Sequence, residues 1–443
     1  MDNFGGEPIR SRYRIVGGKP LRGEVTVGAA KNAIGKQLVA SLLTNQQCIF
    51  SNVPRITEID AILDMLSEVG LAYQWLAEDR LRVQTEEIRS TQISQRYSGF
   101  NRIPILLLGP LIHRAGEATV PLVGGCDIGE RPVDYHINAL RAMGAEIELT
   151  GTEYIARASG LHGTTLRLNY PSVGATENII MAASLAKGKT VIENAAVEPE
   201  VIDTILFLQK MGAQIQVEVD RRVIIEGVNE LTGVEHVPLT DRIEVASFAI
   251  AAVATNGSVK VWNAQQEYMI SFLNNLRKVG GGFEVGAGSI RFFRAGKKLR
   301  PVHVETDVHP GFMTDWQQPF VVLLTQADGV SVVHETVYED RFGYVQDLSR
   351  MGAEIDLSPA CLGSKQCRYR DSNYFHSAIV RGATNLSGQS LVIPDLRAGF
   401  AYLVAALVAK GESEIRGIKY IERGYANVPN KLKSIGAEIH VEG

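Results

Sequence analysis

One segment recurs six times along the chain, and nothing else constrains the possible fold as tightly. The copies are LSEVGLAYQW from residue 66, LRAMGAEIEL from 140, LQKMGAQIQV from 208, LRKVGGGFEV from 276, LSRMGAEIDL from 348 and LKSIGAEIHV from 432. Each starts as an amphipathic, helix-like run, stops at a glycine and continues with alternating residues. The glycines are Gly70, Gly144, Gly212, Gly280, Gly352 and Gly436, at successive spacings of 74, 68, 68, 72 and 84 residues. A glycine here suits the left-handed residue that ends a helix, and the alternation suits a strand of period two. Repetition at near-constant spacing means one supersecondary unit used again and again.

A second signature precedes the copies: an apolar, alanine-rich helix, a short turn and a strand. MAASLAKGKTVIENA from 181, IAAVATNGSVKVWNA from 250 and VAALVAKGESEIRGI from 404 are examples. Small residues such as Ala182, Ala183 and Ala186 let that helix pack closely on its neighbours. Each unit therefore pairs one amphipathic helix facing water with one apolar helix buried on most sides. A chain of 443 residues exceeds one ordinary core, so six units predict two domains of three. The predicted fold class is α/β, a two-domain inside-out α/β barrel of six repeated units, with buried helices inside and sheets outside. The longest spacing holds an insertion at 358–378, made locally basic by Lys365, Arg368 and Arg370. It reads as a solvated loop or a lid over a ligand.

The net charge of −4 gives no broad electrostatic case for nucleic acid, so any functional positive charge must be local. No run of about 18 uncharged apolar residues appears, so no membrane span is expected. The first residues lack an apolar signal core, and few cysteines in a long chain suit a reducing cytosol. Cys48, Cys126, Cys361 and Cys367 show no paired metal spacing. The gap from Cys361 to Cys367 is wrong for a zinc knuckle and leaves a disulfide open. The expectation is no metal and no organic cofactor, with no ligand cluster for either in view.

The most chemically loaded stretch runs from Val123 to His136. Gly124, Gly125 and Gly129 predict a loop that can let a ligand approach closely. Cys126 sits inside it, and Arg131 five residues on carries a donor fork suited to phosphate or carboxylate. A guanidinium nearby favours the thiolate, making a reactive cysteine one reading and an incidental surface cysteine the other. Lys31 and Asn32, after Gly28-Ala29-Ala30, open the first apolar helix, where an anion could sit or a lysine simply meet water. Asp315 after Thr314 could cap a helix beginning at Trp316. Glu198 and Glu200, before another helix, read as structural.

Several of these stretches together, GEVTVGAAKNA, GGCDIGERPVD, PSVGATENIIMAASLA, HPGFMTDWQQPF, HETVYEDRF, DLRAGF and IERGYANVPNKL, resemble the enolpyruvyl transferases. The likeness is to the UDP-N-acetylglucosamine 1-carboxyvinyltransferase family of peptidoglycan synthesis, and it runs in order from about residue 14 to the end. It implies that Cys126 is the proton donor, able to form an adduct with phosphoenolpyruvate, and that Asp315 contacts the sugar's 3-hydroxyl. It implies phosphoenolpyruvate binding by Lys31 and Asn32, with Arg131 on phosphate and Arg102 as a further anion-binding residue. Pro132, Val133, Asp134 and Tyr135 would form the nucleotide-facing turn, and Tyr170, Pro171, Ser172 and Val173 the uridine side. Val337, Arg341, Arg397 and Arg423 would face substrate from the second domain. Those domains would be 31–239, carrying the Cys126 loop, and 1–30 with 240–443, the active site in the cleft between them.

The implied reaction passes the enolpyruvyl group of phosphoenolpyruvate to UDP-N-acetylglucosamine and releases phosphate, in the cytoplasm, as the first committed step of peptidoglycan synthesis. Cell-wall biogenesis, cell shape and cell division would depend on it. Three positions depart from the family's pattern. Thr57 and Tyr170 stand where lysines are usual, and Asn101-Arg102-Ile103-Pro104 replaces Met-Arg-Ala-Ser. They would lie on the nucleotide side or at the phosphate approach, not at Cys126 or Asp315, so a paralogue using another nucleotide is the alternative, and a catalytically silent nucleotide-sugar binder a further one.

Overall fold

A computed structural model describes residues 11–124, 132–365, 367–370 and 372–443, with the side chains of Leu396 and Arg397 excepted. The chain forms two compact units, one of residues 29–124 and 132–239 and the other of residues 11–28 and 240–443. The strands divide into six sheets, five of four strands and one of three.

The six repeats are literal. Each repeat glycine has a positive φ, from 86° at Gly436 to 111° at Gly70, at the end of an amphipathic helix. A side chain in that conformation would strain against the backbone, which is why glycine ends every copy. The strand that follows is an edge strand in all six sheets: Ala72–Trp75, Glu146–Leu149, Gln214–Glu218, Gly281–Gly286, Glu354–Ser358 and Glu438–Glu442. Each pairs antiparallel with its neighbour. Exposed polar residues such as Gln214 and Gln216 alternate with buried Ile215 and keep the core side apolar.

The apolar helices form the interiors. Arg242–Ala254 is buried at every one of its 13 residues and starts at Asp241, whose Oδ1 accepts from the N–H groups of Ile243 (2.8 Å) and Glu244 (3.2 Å). In the second unit it packs with Gln317–Leu324 and Leu396–Val408, each touching the other two. Alanines permit this close approach, and rings fill the remaining space, with Phe248 and Phe400 edge-on at 5.4 Å. In the first unit Leu108–Ala115 packs on Val173–Ser184, where Gly109 meets Ala182 so closely that an added Cβ would lie 3.1 Å from the alanine's. The chain termini close the second unit. Strand Arg12–Val16 lies between Glu412–Arg416 and Glu438–Glu442, and Arg22–Thr26 runs parallel to Ser258–Trp262. No helix among the described residues is long and apolar enough to cross a membrane.

Candidate active site

Cys126 and Arg131 lie outside the described residues, as does the side chain of Arg397. The other nominated residues can be placed.

In the first unit Lys31 and Asn32 start helix Lys31–Ala40, whose preceding residue Ala30 has no capping side chain. The positive end of the helix thus carries a lysine and an amide, a pairing that suits an anion. Lys31 is held by an acid that sequence reasoning missed: its Nζ lies 3.7 Å from Oε2 of buried Glu58. Oε1 of Glu58 accepts from Asn101 Nδ2 (3.1 Å), and Asn101 Oδ1 accepts from the N–H of Ile103 (3.0 Å). The chain Lys31–Glu58–Asn101 therefore fixes the turn that presents Arg102. Pro104 begins the helical turn Pro104–Leu107, where a missing N–H is harmless. An Nη2 of Arg102 donates to the carbonyl of Pro132 at 3.4 Å.

Pro132 and Val133 lead into helix Asp134–Ala142, with Tyr135 half-buried in its first turn. Ser172 caps helix Val173–Ser184 by accepting from Ala175 N–H at 3.4 Å, and its own N–H donates to the Tyr170 carbonyl at 2.7 Å. Buried His136 joins these two segments, its Nδ1 3.1 Å from Asn178 Nδ2. Burial and the charge of Arg102 push that imidazole down to about 3, so it stays neutral and acts as a spacer. Pro132–Tyr135, Tyr170–Val173 and Arg102 are thereby assembled on one side of the unit. Thr57 begins the helix that carries Glu58.

Glu198 and Glu200, read as structural, lie near a further buried acid, Glu177. Glu177 is fully buried with Lys36 Nζ at 3.6 Å, and Glu198 and Glu200 are buried close enough to act on it. Burial raises the Glu177 carboxyl to about 7, with Lys36 opposing and the two glutamates adding to the rise.

In the second unit Asp315 lies in the turn Thr314–Trp316 ahead of helix Gln317–Leu324. The N-cap residues of these elements, Met313 and Trp316, make no side-chain cap, and the Asp315 carboxylate meets Arg341, Oδ1 to Nη2 at 2.5 Å. Arg341 is 1% exposed. Beside it Glu335, also missed, accepts from Thr314 Oγ1 (2.9 Å) and from the N–H groups of Val337 (2.9 Å) and Tyr338 (3.2 Å). Burial raises the Glu335 carboxyl while Arg341 holds it down. Burial works against the Arg341 charge, but Asp315, Glu335 and Asp395 outweigh it and raise its pKa. Arg341 Nε and Nη1 have no hydrogen-bond partner, and the residue lines a cavity of about 130 Å³ with Asp340, Tyr344 and Asp395. Asp395 accepts from Ala398 N–H at 3.1 Å at the start of helix Leu396–Val408, whose first turn holds Arg397. Arg423 ends helix Lys419–Glu422 and is half-buried. An acid two residues before Val337, inside HETVYEDRF, was the available signal for Glu335.

The expectation of no metal-ligand cluster needs correction. His334, Cys361, Cys367 and His376 lie together in this unit, their donor atoms all within 4.8 Å of one another. Spacing could not reveal this, because His334 ends one strand and His376 precedes another. The described residues of the basic insertion make polar contacts with the rest of the unit. Glu305 accepts from Ser364 N–H at 2.5 Å and from Lys365 N–H at 3.0 Å, Lys365 pairs with Asp307, and Arg368 donates to the Val337 carbonyl.

The family described as EPSP synthase (3-phosphoshikimate 1-carboxyvinyltransferase) matches residues 15–432. A protein of Protochlamydia amoebophila (strain UWE25) called UDP-N-acetylglucosamine 1-carboxyvinyltransferase is 52% identical over 433 residues, covering 96% of this chain and 93% of its own. A protein of the same name from Chlamydia pneumoniae is 49% identical, covering 97% and 94%. Among solved structures, the enolpyruvyl transferase NikO from Streptomyces tendae aligns with a TM-score of 0.87 over 98% of this chain and 99% of its own. Its identity of 21% speaks for the fold alone.

Proposed function

The chain belongs to the EPSP synthase family of enolpyruvyl transferases, and from this we propose that it transfers the enolpyruvyl group of phosphoenolpyruvate to the 3-hydroxyl of UDP-N-acetylglucosamine, releasing phosphate. The observation that carries the choice of acceptor is identity near one half, along almost the whole chain, to relatives named for that reaction.

The chemistry needs an acid at the methylene carbon, a base at the hydroxyl and cations around phosphate and carboxylate. Cys126 donates its proton to the methylene, which makes the neighbouring carbon electrophilic. The sugar hydroxyl adds to that carbon and gives its proton to Asp315, forming a tetrahedral adduct that keeps the phosphate. The Cys126 thiolate, left by the first step, takes back a methyl proton as phosphate departs, which restores the double bond as the enol ether. Lys31, Asn32, Arg102 and Arg131 hold the anionic substrate, and Arg397 and Arg423 add charge from the other half of the chain. Pro132, Val133, Asp134 and Tyr135, with Tyr170, Pro171, Ser172 and Val173, receive the nucleotide.

The Asp315–Arg341 pair supports this reading, since a buried guanidinium bonded to the carboxylate aims it. Glu335 acts on the same guanidinium. Val337 sits on the backbone that Glu335 ties down. Peptidoglycan synthesis in the cytoplasm is the setting this product implies.

Phosphate release from phosphoenolpyruvate tests the proposal. Release with UDP-N-acetylglucosamine supports it. Release only with another nucleotide assigns the chain to the paralogue, and none with any acceptor assigns it to a silent binder.

A further inference from the structure

We propose that His334, Cys361, Cys367 and His376 form a structural zinc site that pins the 358–378 insertion to the second unit. The proposal is independent of the reaction assigned above. Two thiols and two imidazoles are the donor set of closed, four-coordinate zinc centres. Their donor atoms lie within 4.8 Å of one another, already converging on one point. Cys361 Sγ and His376 Nε2 are 3.4 Å apart. A tetrahedral zinc with bonds of about 2.3 Å to sulfur and 2.0 Å to nitrogen sets such an edge at about 3.5 Å.

The surroundings orient the donors. His376 Nδ1 lies 2.8 Å from the Tyr374 carbonyl, which fixes the proton there and turns the Nε2 lone pair inward. Cys367 Sγ accepts from the N–H of Tyr369 at 3.3 Å, which orients the sulfur. His334 is fully buried with no hydrogen-bond partner on either ring nitrogen. An orphaned buried imidazole is costly, and a metal bond at one nitrogen removes that cost. The carboxylate of Glu305 lies 4.0 Å from its Nδ1, ready to back the ring. Gly363 makes the approach possible, since a Cβ there would fall 2.2 Å from His334 Nδ1.

Charge also balances. As the two Zn–S bonds form, each thiol releases its proton to solvent, and two thiolates neutralise the divalent ion. A neutral centre is tolerable where an isolated charge is not. All four coordination positions come from protein, leaving none for substrate, so the metal braces and does not catalyse. What it braces is specific. The Cys367 turn donates to the Val337 carbonyl through Arg368 and through the Tyr369 hydroxyl (2.8 Å), and Glu335 N–H donates to the His376 carbonyl at 2.7 Å.

The test is metal analysis of the full chain purified under reducing conditions without chelator. A single zinc equivalent is expected, lost in Cys361→Ser and in Cys367→Ser but kept in Cys48→Ser. Exchange for cobalt should give the sulfur-to-cobalt charge-transfer bands and intense visible bands of a tetrahedral site. Chelation should expose Lys365 and Arg368 to trypsin in the wild type, which needs no variant to fold. Zinc-free protein that takes up no cobalt overturns the proposal. So does a metal retained by both serine variants, or mass analysis of unreduced protein that joins Cys361 to Cys367 as a disulfide.

Discussion

Replacing Arg341 with methionine tests how the Asp315 region is held. The guanidinium is 1% exposed and faces three carboxylates, Asp315, Glu335 and Asp395. Methionine keeps much of the apolar stem and deletes the charge, leaving the carboxylates to repel one another. Removing one partner of a buried pair costs about 3–5 kcal/mol. The lower figure is already more than a hundredfold in the folded-to-unfolded ratio, at about 1.4 kcal/mol per factor of ten. Glu335→Gln supplies the sharper arm. In the native background it weakens charge-assisted bonds to Thr314, Val337 and Tyr338 and should destabilise by about 1.5–3 kcal/mol. In the Arg341→Met background it removes a buried, now uncompensated charge and should restore about 1–3 kcal/mol. The effect of one substitution thus changes sign. Urea unfolding reads it through Trp316, which is 1% exposed beside Phe272 and Phe312, once Trp75 and Trp262 are phenylalanine. Glu335→Gln destabilising both backgrounds alike would refute the claim that Arg341 is what makes the Glu335 charge tolerable.

The raised Glu177 carboxyl makes a pH prediction. Its contribution to stability is fully present below the ordinary 4.5 and is lost as pH climbs through about 7. Glu177→Gln should therefore flatten the fall in stability across that window, by on the order of 3 kcal/mol at most, as followed by denaturant midpoints at several pH values. Asn101→Ala cuts both bonds that tie Glu58 to the Arg102 turn, and it should raise KM for phosphoenolpyruvate more than it lowers kcat. An unchanged KM removes that turn from substrate binding. Cys126→Ala, or alkylation by an epoxide phosphonate, should abolish turnover at neutral pH, and full activity after either would take the thiol out of the mechanism.

The architecture was legible because its signals are local and repeated. A helix stop at Gly144 and the alternation after it depend on a few residues each, and six copies let every one check the others. The site residues could be nominated only through long motifs resembling a family, since no single arginine differs in sequence from a surface one. What stayed hidden were the partners. Glu58 reads as an ordinary first-turn acid, yet folding brings it to Lys31 and Asn101. Glu335 reads as an exposed charge after a strand, yet it is buried under Arg341. Burial of a charge is decided by what packs over it, and that information lies tens of residues away.

The insertion shows the same limit from the other side. The spacing before Gly436 is 84 residues where the repeat otherwise takes 68 to 74, so the sequence marks where extra chain is spent. Its local basicity, from Lys365, Arg368 and Arg370, argues for a solvated loop. Ordering such a segment costs conformational entropy, which contacts made by the insertion must offset. Carboxylates at Glu305 and Asp307 and the Val337 carbonyl do part of this, through polar contacts that are individually weak at a surface. Four metal bonds at His334, Cys361, Cys367 and His376 would supply the remainder at one point, linking two strand ends to the insertion between them. Motif spacing finds zinc sites whose ligands share one turn; here the sheet sets the geometry, and only the pairing of strands Gly329–His334 and Ser377–Gly382 makes the donors neighbours.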